Sequence, residues 1–222
     1  AIKRYKANSD NTITNAFKED FNTRGTGSNM GYSDILETFS LYAHRDSSSA
    51  ELSRILVQFP LASISGSRDL GEIPASSSVD FRLKLFNVEH GETLPQNFSI
   101  IASPVLESWR EGLGLDMEEF SDLDTSNWTY REPSSLWASE GGTIQKQENM
   151  QDVKIPCEFK QSFDTGLENL DIDITPLVEE WVKSEESTYF KAASGSIKLP
   201  GVPNLNSKLV RRRGRVYIIN KK

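Results

Sequence analysis

Few residues in this sequence can act as a histidine base or a thiol nucleophile. The chain contains two histidines, His44 and His90, and one cysteine, Cys157. A Ser-His-Asp or Cys-His system needs a histidine within hydrogen-bond reach of its nucleophile. Both histidines are interpreted as loop residues, because His44 follows a strand-like segment and His90 lies in a Glu-His-Gly-Glu turn. The alternating pattern around Cys157 indicates a core position. The sequence therefore predicts a protein that is not an enzyme.

Carboxylates form the next set of candidate ligands. One cysteine and two distant histidines cannot supply a four-ligand zinc site. Calcium takes about six to eight oxygen ligands and is often bound by flexible acidic loops. The spacing here is not that of an EF-hand, so a solvated acidic loop is the alternative interpretation, and no other cofactor is predicted. The candidate calcium ligands are Asp116, Glu118, Glu119, Asp122 and Asp124.

Aromatic residues continue the same long segment, at Trp128, Tyr130 and Trp137. Exposed aromatic rings suit sugar faces, so these three are candidates for glycan contact. The alternative is that the rings pack the loop onto the rest of the domain. Exposure of the rings favours a carbohydrate-binding module, and burial favours a structural protein. Glycoside cleavage is a third hypothesis and is less favoured than glycan binding, because a catalytic pair of carboxylates needs a specific separation that the sequence does not define.

Charge is distributed unevenly along the chain. No acidic residue follows Glu186, whereas that segment contains nine lysines and arginines. Because the whole chain carries −7 and this segment carries +9, the part from residue 1 to Glu186 carries −16. The basic segment is predicted to contact another copy, another acidic protein or nucleic acid, with a solvated tail as the alternative. The acidic body itself disfavours nucleic-acid binding. The candidate partner-binding residues are Arg211, Arg212, Arg213 and Arg215.

Strands are the elements predicted to position these residues. Period-two alternation of apolar and polar residues occurs in residues 39–43, 79–85, 153–160 and 170–174. Arg54–Leu61 is a mostly apolar run that is typical of a central strand. Pro156 cannot donate a ladder hydrogen bond, which predicts an edge strand. Val216–Ile219 is predicted as one more short strand.

Two similar segments predict short helices. Ser103–Trp109 and Thr175–Trp181 each place a hydroxyl N-cap before a proline at the first helical position, followed by apolar residues and a tryptophan. The one-sided strands predict an all-β fold, an antiparallel β-sandwich of jelly-roll type with short helical turns. The domain prediction is an extended N-terminal arm at 1–34, the sandwich at 35–194 and a basic C-terminal tail with a short strand at 195–222. No apolar run approaches the roughly 20 residues of a membrane span.

Five segments carry a resemblance to a known family. They are Ser9–Thr14 (Ser-Asp-Asn-Thr-Ile-Thr), Ser28–Glu37, Ser53–Pro60, Trp109–Asp116 and Leu170–Trp181. In this order the chain resembles the DNRLRE-type β-sandwich domains, especially those in structural proteins of marine tailed phages. The resemblance implies a jelly-roll-like sandwich used for attachment, fibre building or surface decoration, and it supplies no catalytic residues. The basic tail departs from the family pattern.

The resemblance and the charge pattern lead to one expected function. We expect a virion structural protein, assembled in the host cytoplasm and placed on the capsid surface, neck or tail. Its expected partners are other copies of itself or other virion proteins, with a host-surface glycan as a further candidate. Membranes and nucleic acid are not expected partners. The alternative is a carbohydrate-binding module that recognises a cell-surface glycan.

Overall fold

The structure is a computed structural model that describes residues 2–74, 78–88, 95–144, 156–186, 206–210 and 216–219. The strands are β1 (Ser9–Thr14), β2 (Ile35–Thr38), β3 (Ser40–Tyr42), β4 (Ala50–Gln58), β5 (Arg82–Asn87), β6 (Phe98–Pro104), β7 (Tyr130–Glu132), β8 (Ser135–Leu136), β9 (Phe159–Phe163), β10 (Leu170–Asp173), β11 (Asn206–Val210) and β12 (Val216–Ile219). The helices are α1 (Leu61–Asp69) and α2 (Thr175–Glu186). Strands dominate these ranges, so the predicted all-β class is confirmed.

The strands form two main antiparallel sheets. One sheet has the order β1-β4-β11-β6-β9, with β3 also paired to β4, and the other has the order β10-β5-β12-β2. A separate two-stranded ribbon pairs β7 with β8. The predicted central strand is β4, which lies between β1 and β11. The strand predicted at 153–160 corresponds to β9, which lies at the edge of the larger sheet but begins only at Phe159. Pro156 precedes this strand, so the proline does not account for the edge position, and Val153 and Ile155 lie outside the described residues.

Buried side chains of both sheets meet in one hydrophobic core. The predicted alternation is confirmed in β5 and β10, where every second side chain is buried. The sheet residues of this core are Leu36, Ile55, Val57, Leu83, Leu85, Ile100, Ala102, Phe159, Phe163, Leu170 and Ile172. Leu56 points away from its neighbours in β4 and joins a second core with Ile13, Val105 and three tryptophans. The larger sheet is therefore buried on both faces along β4, with residues of the long 105–144 segment on the outer side.

Helix α2 confirms one of the two predicted helical segments. Leu177, Val178 and Trp181 lie on its core-facing side, and Trp181 is fully buried. The Thr175 hydroxyl accepts a hydrogen bond from the Phe81 backbone N–H at 2.7 Å, which ties the start of the helix to the chain before β5.

The predicted helix at Ser103–Trp109 is wrong. Ser103 and Pro104 are the last residues of β6, where they lie opposite Lys208 and Ser207 of β11. Val105 continues as an isolated bridge to Ile144. Long-range strand pairing overrides the local helix-start signal here. Pro104 is tolerated because it is the last residue of the strand, where its missing N–H removes at most one ladder bond.

Helix α1 was not predicted from the sequence. It follows Pro60, lacks a side-chain cap and contains three serines and a glycine, which are poor helix formers. Tertiary contacts stabilise it, since Ile64 is buried in the main core and Arg68 forms an ion pair with Glu179 of α2. None of the helices among the described residues is long and apolar enough to cross a membrane.

The segments predicted as arm and tail both supply strands to the sheets. In the 1–34 segment, β1 pairs with β4 along its whole length, and five of its six residues are buried. In the 195–222 segment, β12 coincides with the predicted strand, whereas β11 is an additional strand that the sequence did not indicate. The domain boundaries at 34 and 194 stay predictions.

A single carboxylate holds the turn between β9 and β10. Glu168 accepts hydrogen bonds from the backbone N–H groups of Asp164 at 3.1 Å, Thr165 at 2.9 Å and Gly166 at 2.7 Å. The bond from the Thr165 N–H is the main cause that lowers the pKa of Glu168 to about 2, and the bond from the Asp164 N–H acts in the same direction. Three donors around one carboxylate stabilise its charged form.

This pKa shift predicts the acid sensitivity of the turn. A depressed pKa in the folded state stabilises the protein above the unfolded pKa, and this stabilisation is lost as the pH falls through the folded value. We expect the stability difference between the wild-type chain and Glu168→Gln to be largest above pH 5 and to shrink towards pH 2. Urea unfolding at several pH values measures it, and a difference that is constant with pH would contradict this assignment.

Candidate interaction surface

Asn29 anchors the long segment between β6 and β9 to the N-terminal part of the chain. Its side-chain NH2 donates to the carbonyls of Glu111 and Ser126, each at 2.7 Å. Its side-chain oxygen accepts from the N–H groups of Gly31 at 3.1 Å and Gly114 at 2.9 Å. Asn29 is fully buried. All four hydrogen-bonding positions of this amide are therefore satisfied inside the protein.

A second asparagine reinforces the same junction. Asn11 of β1 donates to the Ser126 carbonyl and hydroxyl, each at 2.9 Å, and accepts from the Met30 N–H at 3.0 Å. The Ser126 hydroxyl in turn donates to the Arg110 carbonyl. Asn11, Asn29 and Ser126 are each fully buried. We call these three residues the asparagine frame.

Glycines allow the backbone to approach this frame closely. A Cβ at Gly114 would lie 1.9 Å from the Asn29 carbonyl oxygen, and one at Gly31 would lie 2.1 Å from that of Glu111. Gly112 adopts φ +88°, and its Cβ would meet the Asn29 side chain at 2.3 Å. Three of the segments that carry the family resemblance, at 9–14, 28–37 and 109–116, therefore meet at one junction.

The predicted glycan-binding tryptophans lie inside the protein. Trp128 and Trp137 are 6% and 4% exposed and belong to the second core, while Tyr130 is half-buried in β7. The Arg54 guanidinium lies over the Trp128 ring, 4.8 Å from its centroid, and donates to the Gly141 carbonyl. The Trp137 indole donates to the Asn127 carbonyl at 2.9 Å. Burial of these two rings contradicts the exposed aromatic row that glycan contact requires.

The candidate calcium ligands do not converge on one point. Asp116 accepts from the backbone N–H groups of Glu118 and Glu119, and Asp122 accepts from that of Asp124, so both aspartates cap local turns. Within the ranges that the structure describes, no group of three or more His, Cys, Asp or Glu side chains is placed to hold a metal ion. These carboxylates instead lie along the surface of the loop.

The outer face of this loop exposes apolar side chains. The loop is held to the N-terminal segment by the Tyr32 N–H to Gly114 carbonyl bond, by the Ser28 hydroxyl to Met117 carbonyl bond, and by a Ser28–Ser121 bridge. The exposed fractions are 62% at Tyr32, 73% at Leu113, 43% at Leu115, 39% at Phe120 and 63% at Leu123.

We call these apolar side chains and the surrounding carboxylates the loop surface. Its members are Tyr32, Leu113, Leu115, Asp116, Glu118, Glu119, Phe120, Asp122, Leu123 and Asp124. Several large exposed apolar side chains in one loop, interspersed with polar residues, are typical of protein-binding surfaces. The negative charge of the surface favours a basic partner.

The remaining candidate residues lie elsewhere. His44 is paired with Glu51 at 3.1 Å, and this glutamate is 1% exposed and also accepts from the Phe17 N–H at 3.0 Å. Cys157 is buried, as predicted, and burial raises the pKa of its thiol. His90 and the four arginines Arg211, Arg212, Arg213 and Arg215 lie outside the described residues.

The asparagine frame was not predicted from the sequence, because none of its three residues carries a titratable group. A signal was present in the repeated Ser-Asn pairs at 28–29 and 126–127, the first of which is followed by a glycine at 31. Asparagine beside small residues can satisfy backbone groups in irregular segments, since its amide both donates and accepts.

Comparison of the chain with family models, with curated proteins and with solved structures finds no match.

The asparagine frame predicts a large loss of stability on truncation of Asn29. Asn29→Ala leaves two buried N–H groups and two buried carbonyls without this partner, so we expect it to lower the free energy of unfolding by about 3 kcal/mol. Asn22→Ala is the matched control, because Asn22 is exposed and should change stability by less than about 0.5 kcal/mol. Urea unfolding compares the two variants, and equal losses would show that the frame does not hold the loop.

Proposed function

We propose that this chain is a structural protein of a phage particle, located on the capsid surface, neck or tail, and assembled in the host cytoplasm. It acts through protein–protein interfaces and not through catalysis. The resemblance to DNRLRE-type domains of marine tailed phages supports the proposal. Further support comes from the meeting of the 9–14, 28–37 and 109–116 segments at the asparagine frame, because this gives their sequence pattern a common structural purpose.

A jelly-roll-type sandwich is part of this proposal. It is supported by two antiparallel sheets whose buried side chains share one core. Such sandwiches place their long connections at the ends and outer faces of the sheets, where these connections can contact neighbours without altering the core.

The loop surface is the observation that carries the proposal. Leu113, Leu115 and Leu123 are each exposed by more than two fifths of their area, although the frame beneath them is fully buried and hydrogen-bonded. A loop held in this way loses little conformational freedom on binding, which favours association. Its carboxylates match the basic segment that follows Glu186, so the partner that fits is a neighbouring copy presenting Arg211–Arg215.

A carbohydrate-binding module has less support. Two of its three candidate rings, Trp128 and Trp137, are buried in the second core. The carboxylates around the exposed apolar side chains suit a basic protein surface better than a neutral sugar.

The proposal predicts that the protein is a component of finished particles. Mass spectrometry of density-purified particles of the encoding phage should detect it at a fixed copy number relative to the major capsid protein. Treatment of the particles with high salt before purification distinguishes an integral component from material adsorbed by charge. Absence from washed particles, with the protein abundant in the lysate, would refute a virion role.

The loop surface predicts salt-sensitive association of the full chain. Asp116→Asn, Glu119→Gln and Asp124→Asn together remove three exposed charges and keep the turn-capping oxygen of residue 116. Exposed charge pairs are each worth about 0.2–1 kcal/mol, so we expect association to weaken by about tenfold. Sedimentation velocity at low and high salt measures it.

A matched variant removes the same charge elsewhere. Asp69→Asn, Asp80→Asn and Glu158→Gln change three exposed carboxylates away from the loop surface and should leave association unchanged. A wild-type chain that is monomeric in every condition, or equal effects of the two triple variants, would exclude self-association through this surface.

A further inference from the structure

The strands β11 and β12 occupy internal positions in the two main sheets. β11 pairs with β4, from Asn206 opposite Gln58 to Val210 opposite Arg54. On its other side β11 pairs with β6, from Ser207 opposite Pro104 to Val210 opposite Ile101. β12 is likewise paired with β2 on one side and with β5 on the other. Each strand therefore makes hydrogen bonds to two neighbours that come much earlier in the chain.

Among the strands that the structure describes, these two join parts of each sheet that have no other ladder between them. In the larger sheet, β4 with β1 and β3 lies on one side of β11, and β6 with β9 lies on the other. In the smaller sheet, β12 separates β5 and β10 from β2. If β11 and β12 are removed, each sheet is left with a gap between two strands whose facing backbone N–H and C=O groups have lost their partners. We call these two gaps the slots.

The chain length permits either slot to be filled by another copy. The segment 187–205 separates α2 from β11, and the much shorter segment 211–215 separates β11 from β12. A connection as long as 187–205 spans at most roughly 65 Å when extended, which exceeds the width of a domain of this size. The short 211–215 connection keeps β11 and β12 together, so the two strands enter one recipient as a unit.

We propose that the β11–β12 unit is exchanged between copies, so that the unit of one chain fills both slots of a neighbour. Exchange preserves every ladder pairing of the closed monomer, because the recipient strands β2, β4, β5 and β6 are the same in each copy. Only the path of the 187–205 connection differs. The added strand is recognised by its backbone, as when an extended segment complements an incomplete sheet.

Charge favours this transfer. The segment after Glu186 carries +9 and the chain up to that residue carries −16, so the donor segment is attracted to any acidic body, including a neighbour's. Within one chain the local concentration favours closure on itself, and exchange becomes competitive when copies are held close together. The inference rests on the proposed function to that extent, because a growing particle is what brings the copies together.

A mixture of two single-cysteine full-length chains tests the exchange. One chain carries Gln58→Cys and the other Asn206→Cys, both in a Cys157→Ala background, because residues 58 and 206 are opposite each other in the β4–β11 ladder. Opposed residues in an antiparallel ladder lie at a Cα separation compatible with a disulfide. The chains are co-refolded at low and high concentration and oxidised, and non-reducing gels with mass spectrometry identify the linked species.

We expect a heterodimer, linked through positions 58 and 206, that increases with protein concentration. It should exceed by about tenfold the product of a mismatched mixture, Glu158→Cys with Asn206→Cys, because residue 158 precedes the edge strand β9 and is not opposite β11. A double variant, Gln58→Cys with Asn206→Cys in one chain, reports closure within a molecule. All variants are checked for wild-type circular dichroism before oxidation.

Two outcomes overturn the inference. In the first, the double variant closes within the molecule while the mixture gives no more heterodimer than the mismatched pair. In the second, neither the double variant nor the mixture forms the disulfide, which places β11 away from β4. Repeating the mixture with the three loop-surface substitutions separates the two proposals. A heterodimer that still forms when salt-sensitive association is lost supports exchange alone. Salt-sensitive association of the wild-type chain with no heterodimer above the mismatched pair supports the loop surface alone.

Discussion

The structure depends on one requirement, that buried backbone N–H and C=O groups find hydrogen-bond partners. β4 is an internal strand of the larger sheet with both faces covered, so water cannot satisfy its backbone. β1 pairs with one side of β4 and β11 with the other. The pairing partner on the second side comes from the distal part of the chain, and the smaller sheet has the same arrangement with β12.

The irregular segments meet the same requirement with side chains. The 105–144 segment has little regular structure, yet it covers the outer face of β4 and supplies three tryptophans to the second core. Asn11 and Asn29 replace a ladder there, because each amide satisfies backbone groups from two segments. The inner side of the loop is held by these hydrogen bonds, and its outer side carries exposed apolar residues such as Leu113. In a mobile loop the same exposed residues would favour aggregation.

Short-range patterns predicted the strands more accurately than the connections. Alternation located β5 and β10, because side-chain period two follows from strand geometry alone. The helix-start signal at Ser103 failed because pairing with β11, which lies far along the chain, determines that backbone. The sequence indicated that Trp128 either binds sugar or packs the loop, and its burial in the second core shows that it packs the loop. The exposed apolar side chains of the loop surface were not predicted, since the exposure of a side chain depends on which distant segments of the chain pack over it.

The internal position of β11 also has a consequence for synthesis on the ribosome. Ile55 is opposite Leu209, which is translated much later, so β4 and β6 emerge long before the strand that joins them. Nascent chains therefore expose unpaired strand edges for many seconds. Such edges favour aggregation between neighbouring polypeptides that are translated from one messenger RNA. The charge of −16 on the chain up to Glu186 keeps such chains apart by mutual repulsion. The basic segment that follows weakens this repulsion, to a net charge of −7, as the completing strands are made.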